Sequence, residues 1–224
     1  MSEDRRRQFF EAVKSNDRAA VAQLLALDGE LINARNEANL SAVLLAAYHR
    51  HAELAQELGT QKELNIGEAA AIGHTARIAE LLAQTPASAN EFSPDGFPAL
   101  SYAAFFGRPE ALALLLQAGA DPNLQAQNAM LIRPLHAATA QPDPLAALAI
   151  AERLLAAGAN PNVKQQGGWT PLHAAAANGN SALIRLLLRH GAEAGATNDE
   201  GKTALDLATE KQQSESVKLL ATVS

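Results

Sequence analysis

Thr170-Pro171-Leu172-His173, followed by two alanines and then Gly179, is one copy of a phrase that returns along the chain. Arg133-Pro134-Leu135-His136 leads into Ala137-Ala138, and Pro98-Ala99-Leu100-Ser101 leads into Ala103-Ala104 and Gly107. Thr203-Ala204-Leu205-Asp206 leads into Ala208. Self-similarity at a period in the thirties means a stack of small helical units, none of which buries its apolar face alone.

Each part of the phrase has a mechanical reason. A threonine hydroxyl caps a helix, and the proline beside it suits the first helical turn, where a missing N–H is no loss. Leucine points into a core, and paired alanines let a neighbouring helix approach closely. Gly107 and Gly179 stand where the first helix stops, a place that favours left-handed backbone. A second amphipathic helix follows, as in Ala182–Leu188, and ends at Gly119, Gly158 or Gly191. An extended loop with turn residues such as Asp95-Gly96 or Gly167-Gly168 leads to the next unit.

On these residues the chain resembles the ankyrin repeat family. The phrase and the Gly119-Ala120-Asp121-Pro122-Asn123 exit carry the resemblance, which is most specific from Pro94 to Leu207. It implies an all-α ankyrin-repeat solenoid of helix-turn-helix units with short β-hairpin-like finger loops, about seven units including caps, in a single domain over 1–224. The phrase begins at Arg7, Ser41, Leu64, Pro98, Arg133, Thr170 and Thr203. Approximate units are 5–36, 37–62, 63–92, 93–127, 128–164, 165–197 and 198–224, with the first and last as atypical caps.

The spacings between these starts are 34, 23, 34, 35, 37 and 33 residues. About ten residues are missing between Ser41 and Leu64, which predicts a lost finger and a notch in the finger wall. Gly158 lies 25 residues after Arg133, whereas Gly119 and Gly191 lie 21 after their own starts. The surplus is expected between the helices, around Thr139 to Leu148, where Gln141-Pro142-Asp143-Pro144 has turn and helix-start chemistry. The preceding finger is also long, and its tip reads Met130-Leu131-Ile132 where such tips are usually polar. Loops accept insertions at little thermodynamic cost, so drift is the competing account.

In the family the resemblance points to, the residue before the phrase and the end of the first helix face a concave groove where protein partners bind. Carried onto this sequence, the finger positions are Leu40, Phe97, Ile132, Trp169 and Lys202, and the helix positions include Tyr48, Phe105, Phe106 and Asn178. Of only nine aromatic residues, Tyr48, Phe97, Phe105, Phe106 and Trp169 fall at these places. Aromatic anchors dominate protein-interface hot spots. Phe97, Phe105, Phe106, Met130, Ile132, Trp169, Tyr48, Asn178 and Lys202 are therefore the candidate protein-binding residues. Mutual packing of Phe97 and Phe105, merely stiffening the array, is the alternative.

Chemistry is harder to find. The chain has no cysteine, so neither disulfides nor thiolate chemistry arises. No catalytic, metal-ligating or cofactor-binding set stands out. His136 and His173 read as structural members of the phrase. His49 and His51, two apart, do not share a helix face. With a net charge of -6 and Arg5-Arg6-Arg7 as the one basic run, no nucleic-acid partner is expected. No apolar stretch is long enough to span a bilayer, and the N-terminus has no signal-peptide pattern. The expectation is a monomeric cytoplasmic protein of bacterial source, not an enzyme, without cofactors, that scaffolds a protein partner. The rival expectation is an auxiliary protein that stabilises or regulates a partner enzyme by docking on it.

Overall fold

The computed structural model describes residues 2–223, and among them the chain is all-helical, with fourteen α-helices and no strand. The helices form consecutive pairs. These are α1 (Glu3–Lys14) with α2 (Arg18–Leu27), α3 (Ala42–Tyr48) with α4 (Ala52–Gly59), and α5 (Ile66–Ile72) with α6 (Thr75–Gln84). There follow α7 (Ala99–Phe105) with α8 (Pro109–Gln117) and α9 (Pro134–Thr139) with α10 (Pro144–Ala156). The last pairs are α11 (Pro171–Ala177) with α12 (Ser181–Arg189) and α13 (Ala204–Glu210) with α14 (Ser214–Leu220). First helices stack in one row from α1 to α13, and second helices from α6 to α14 form a row behind it. Alanine and leucine fill the space between the rows.

The phrase builds each first helix as its chemistry requires. Ser41, Thr170 and Thr203 accept with their hydroxyls from the backbone N–H three residues on, each cap contributing about 1 kcal/mol. His136 and His173 do two jobs. Each accepts at Nδ1 from the N–H of its own cap residue, and the Nε2 of each reaches a carbonyl in the loop beyond its second helix, Val163 or Lys202. At the opposite end Gly107 and Gly179 turn left-handed, and Asn16, Arg50 and Gln212 take that conformation in their own units. Asparagines then link successive exits: Asn90, Asn123 and Asn162 each donate to the next glycine carbonyl and accept from the N–H two residues beyond it.

The unit after the shortened one is capped one residue later than the spacing predicts. Asn65, not Leu64, caps α5 in a reciprocal box with Glu68, and Leu64 is buried beneath it. Only Gly73 separates α5 from His74, the cap of α6, where α11 has Asn178-Gly179 before its own successor's cap. Residues 60–65 replace a finger. Glu68 stands where two copies of the phrase have His136 and His173. It is fully buried and pairs with Lys62 at 2.8 Å. Pairing and capping together satisfy a charge whose isolated burial would be prohibitive.

The expected notch is closed. Asn39, at the tip of the second unit's finger, donates from Nδ2 to Pro94 O at 2.6 Å, so that finger rests on the fourth unit's finger across the missing one. Backbone bonds continue the contact along the array: Gln127 N to Gly96 O, Gln166 N to Met130 O and Asp199 N to Gly167 O. The wall of fingers is therefore continuous from Asn39 to Asp199.

The surplus after Arg133 is helix rather than loop. The connection of α9 to α10 is residues 140–143, while α10 has 13 residues against nine in α8 and in α12. Asp143 caps it and Pro144 occupies its first turn, so the helix starts a turn early. Four further residues lengthen it by about 6 Å. Leu145, in that added turn, is 77% exposed.

Candidate protein-binding groove

Fingers and first helices together enclose a groove of about 600 Å³ at the middle of the array. Leu40, Phe97, Met130 and Ile132 reach it from three fingers, while Tyr48 and Phe105 reach it from the ends of α3 and α7. Ser101, Tyr102, His136 and Ala137 also line it. The volume lies within the roughly 300–1,000 Å³ of typical ligand clefts, and the lining is mostly apolar.

The rings are set by close packing across α5. Tyr48 lies 5.6 Å from Phe105 and 5.1 Å from Phe106, centroid to centroid. A bulkier helix would hold them apart, but α5 carries Ala69-Ala70-Ala71, all fully buried, and Gly67. A Cβ on Gly67 would run into Ser93 Oγ and the Tyr102 ring. Phe97 stacks edge-on against Tyr102 at 5.9 Å.

Tyr102 is almost wholly buried, and its hydroxyl lies 2.5 Å from both carboxylate oxygens of Asp95. Burial and the Asp95 hydrogen bond hold its phenol far above the ordinary value. Burial does the same for Tyr48, with the Asp95 charge adding to it. Both hydroxyls remain donors at neutral pH. Burial pushes His136 down to about 4, and Arg133 adds to that depression, so the imidazole facing the groove is neutral.

The long finger carries the most unusual backbone. Leu131 sits at φ 54° in the place taken by Gly96, Gly168, Gly201 and Asn39 in the other fingers. A branched side chain there costs about 1–2 kcal/mol. Arg133 holds the finger in shape, donating to Asn123 O, Gln125 Oε1 and Lys164 O. Met130 and Leu131 stand 49% and 42% exposed at the tip. Strain and exposed apolar surface coincide.

Residues 9–126 and 134–223 match the family described as ankyrin repeats, three copies. The chain belongs to the ankyrin repeat family. It is 41% identical over 118 residues to ankyrin repeat and SOCS box protein 16 of Mus musculus, covering 51% of this chain and 26% of that protein. It is 42% identical over 106 residues to neurogenic locus notch homolog protein 4 of Homo sapiens, covering 47% of this chain and 5% of that protein. RelA-associated inhibitor of Mus musculus matches at 45% over 58 residues, 25% of this chain and 7% of that protein. The chain thus spans about a quarter or less of the length of these relatives. Ankyrin repeats generally mediate protein–protein interaction, and the fold is typically a non-catalytic scaffold.

Within the ankyrin array the sequence-predicted residues divide. Tyr48, Phe97, Phe105, Met130 and Ile132 meet in the groove. Phe97 and Phe105 pack on Tyr102 and on Tyr48 and Phe106, not on each other. Phe106 lines a neighbouring depression with Ile72, Arg108 and Gln141. Trp169 lies outside the groove, half-buried, its ring 6.1 Å from that of His173. Asn178 donates to Thr139 O, and Lys202 Nζ sits 3.0 Å from both Glu200 and Glu210, so both serve contacts within the array. His51 Nε2 meets Lys14 O, and His74 caps α6. Sequence reasoning passed over Asp95 and Tyr102: the first reads as an ordinary turn residue, and the second as a core position of α7. No helix is long and apolar enough to cross a membrane among the described residues.

Proposed function

We infer that this ankyrin array is a non-catalytic scaffold that holds one protein partner in the central groove. The observation that carries the reading is the meeting of Leu40, Tyr48, Phe97, Phe105, Met130 and Ile132 in one open apolar concavity, beside a finger tip that exposes Met130 and Leu131. Exposed apolar patches of this kind mark partner sites. The fingers are already tied to one another, so little ordering entropy is lost on binding. The name of the relative called RelA-associated inhibitor describes action on another protein, in line with this reading.

The test compares capture by wild type, by Phe97→Ala/Met130→Ala, and by Trp169→Ala. Selective loss of a specific partner by the groove variant, at unchanged melting temperature, is expected, with Trp169→Ala close to wild type. Equal capture by all three would remove the groove assignment. If the captured protein is an enzyme, its activity with and without the chain distinguishes simple scaffolding from regulation by docking.

A further inference from the structure

We propose that the groove selects partner segments in which a lysine or arginine is flanked by apolar residues, with Asp95 as the specificity-determining carboxylate. The proposal rests on the groove being the binding surface. Among the described residues that line it, Asp95 alone is charged, since His136 is neutral. Its carboxylate has one hydrogen-bond donor, Tyr102 Oη, and takes part in no ion pair among the described residues.

A carboxylate offers about four acceptor positions, so one shared hydroxyl leaves most of them for an incoming donor. The group is also held in place. Asn128 Nδ2 donates to the Asp95 carbonyl at 3.0 Å, and Tyr102, wedged beside Gly67, fixes the side chain. A positioned, half-buried anion in apolar surroundings attracts a desolvating cation more strongly than one in water does. Tyr48, Phe97 and Phe105 line the same groove, and aromatic faces attract ammonium and guanidinium groups. The long stems of lysine and arginine lie well along apolar walls while their heads seek charge. The net charge of -6 favours the approach of basic segments.

The experiment pans a phage-displayed random linear peptide library on the full chain and on Asp95→Asn, which keeps an oxygen for Tyr102 Oη. Wild type is expected to enrich lysine or arginine beside apolar residues, and Asp95→Asn to keep the apolar preference but lose the basic one. A synthetic enriched peptide, read by fluorescence anisotropy, should bind Asp95→Asn ~10–100-fold more weakly, as a charge-assisted hydrogen bond implies. Its analogue with glutamine at the basic position should bind the two proteins alike. Identical selections on both proteins, or wild-type peptides without a basic residue, overturn the role of Asp95. If such peptides still lose affinity for Phe97→Ala/Met130→Ala, the groove stands and only its charge preference falls. Basic peptides indifferent to that double variant, or a library yielding no binders, overturn both.

Discussion

At the residue scale, several side chains do work that their type alone does not reveal. Leu131 holds a glycine-like conformation, so Leu131→Asn should stabilise the array by about 0.5–1 kcal/mol while weakening partner capture. Chemical denaturation and a binding assay read the two effects, and a loss of stability would show that the tip is not strained. His136 carries a pH dependence whose sign follows from its depressed pKa. The unfolded chain takes up its proton near pH 6.5, whereas the folded chain resists protonation down to about 4. The contribution is complete above pH 6.5 and is lost as the pH falls towards 4. His173, depressed mainly by burial, acts in the same direction. Between pH 7.5 and 5 the His136 share is about 2 kcal/mol. Urea midpoints for wild type and His136→Gln should therefore converge as the pH falls, and parallel curves would refute the assignment.

At the scale of elements, α5 decides the groove. Helix propensity alone favours alanine over glycine by about 1 kcal/mol, which would make Gly67→Ala stabilising. The structure reverses that sign, because a methyl group at residue 67 meets Ser93 and Tyr102, and overpacking costs about 1–3 kcal/mol. A lower melting temperature for Gly67→Ala is expected, and a higher one would mean that α7 shifts freely. The extended α10 teaches a related lesson. A surplus of residues is visible in the spacing, yet only the Asp143 cap and Pro144 decide that it lengthens a helix.

Across the whole molecule, neighbouring units supply nearly all packing, as in any quasi-one-dimensional array. The shortened unit is where this continuity is thinnest. α4 packs mainly on α3 and α5, while the outer row runs from α6 onward. Tyr48 and the Asn39–Pro94 bond bridge the gap on the groove side only. Amides of α1 to α4 should therefore exchange with deuterium at lower opening free energy than those of α7 to α12. Uniform protection along the chain would show instead that the array opens as one unit.

What the sequence determined by itself is the repeating architecture. Thr170, Pro171, Leu172 and His173 act through local rules, namely a cap, a fixed first turn, a core contact and a loop bond, so they are legible from one copy to the next. The aromatic residues of the candidate groove were legible too, as far as their periodic position carries them. Three outcomes belonged to tertiary structure alone. Removing one finger brings fingers distant in sequence, at Asn39 and Pro94, into contact and closes the wall. The small residues of α5 let Tyr48 reach Phe105 and Phe106, which sets Phe106 in a second concavity that Tyr48 and Phe105 also line. The same close approach buries Tyr102 against Asp95 and leaves one carboxylate facing an apolar groove. Each depends on which residues meet between non-adjacent units, and spacing along a chain does not encode that distance.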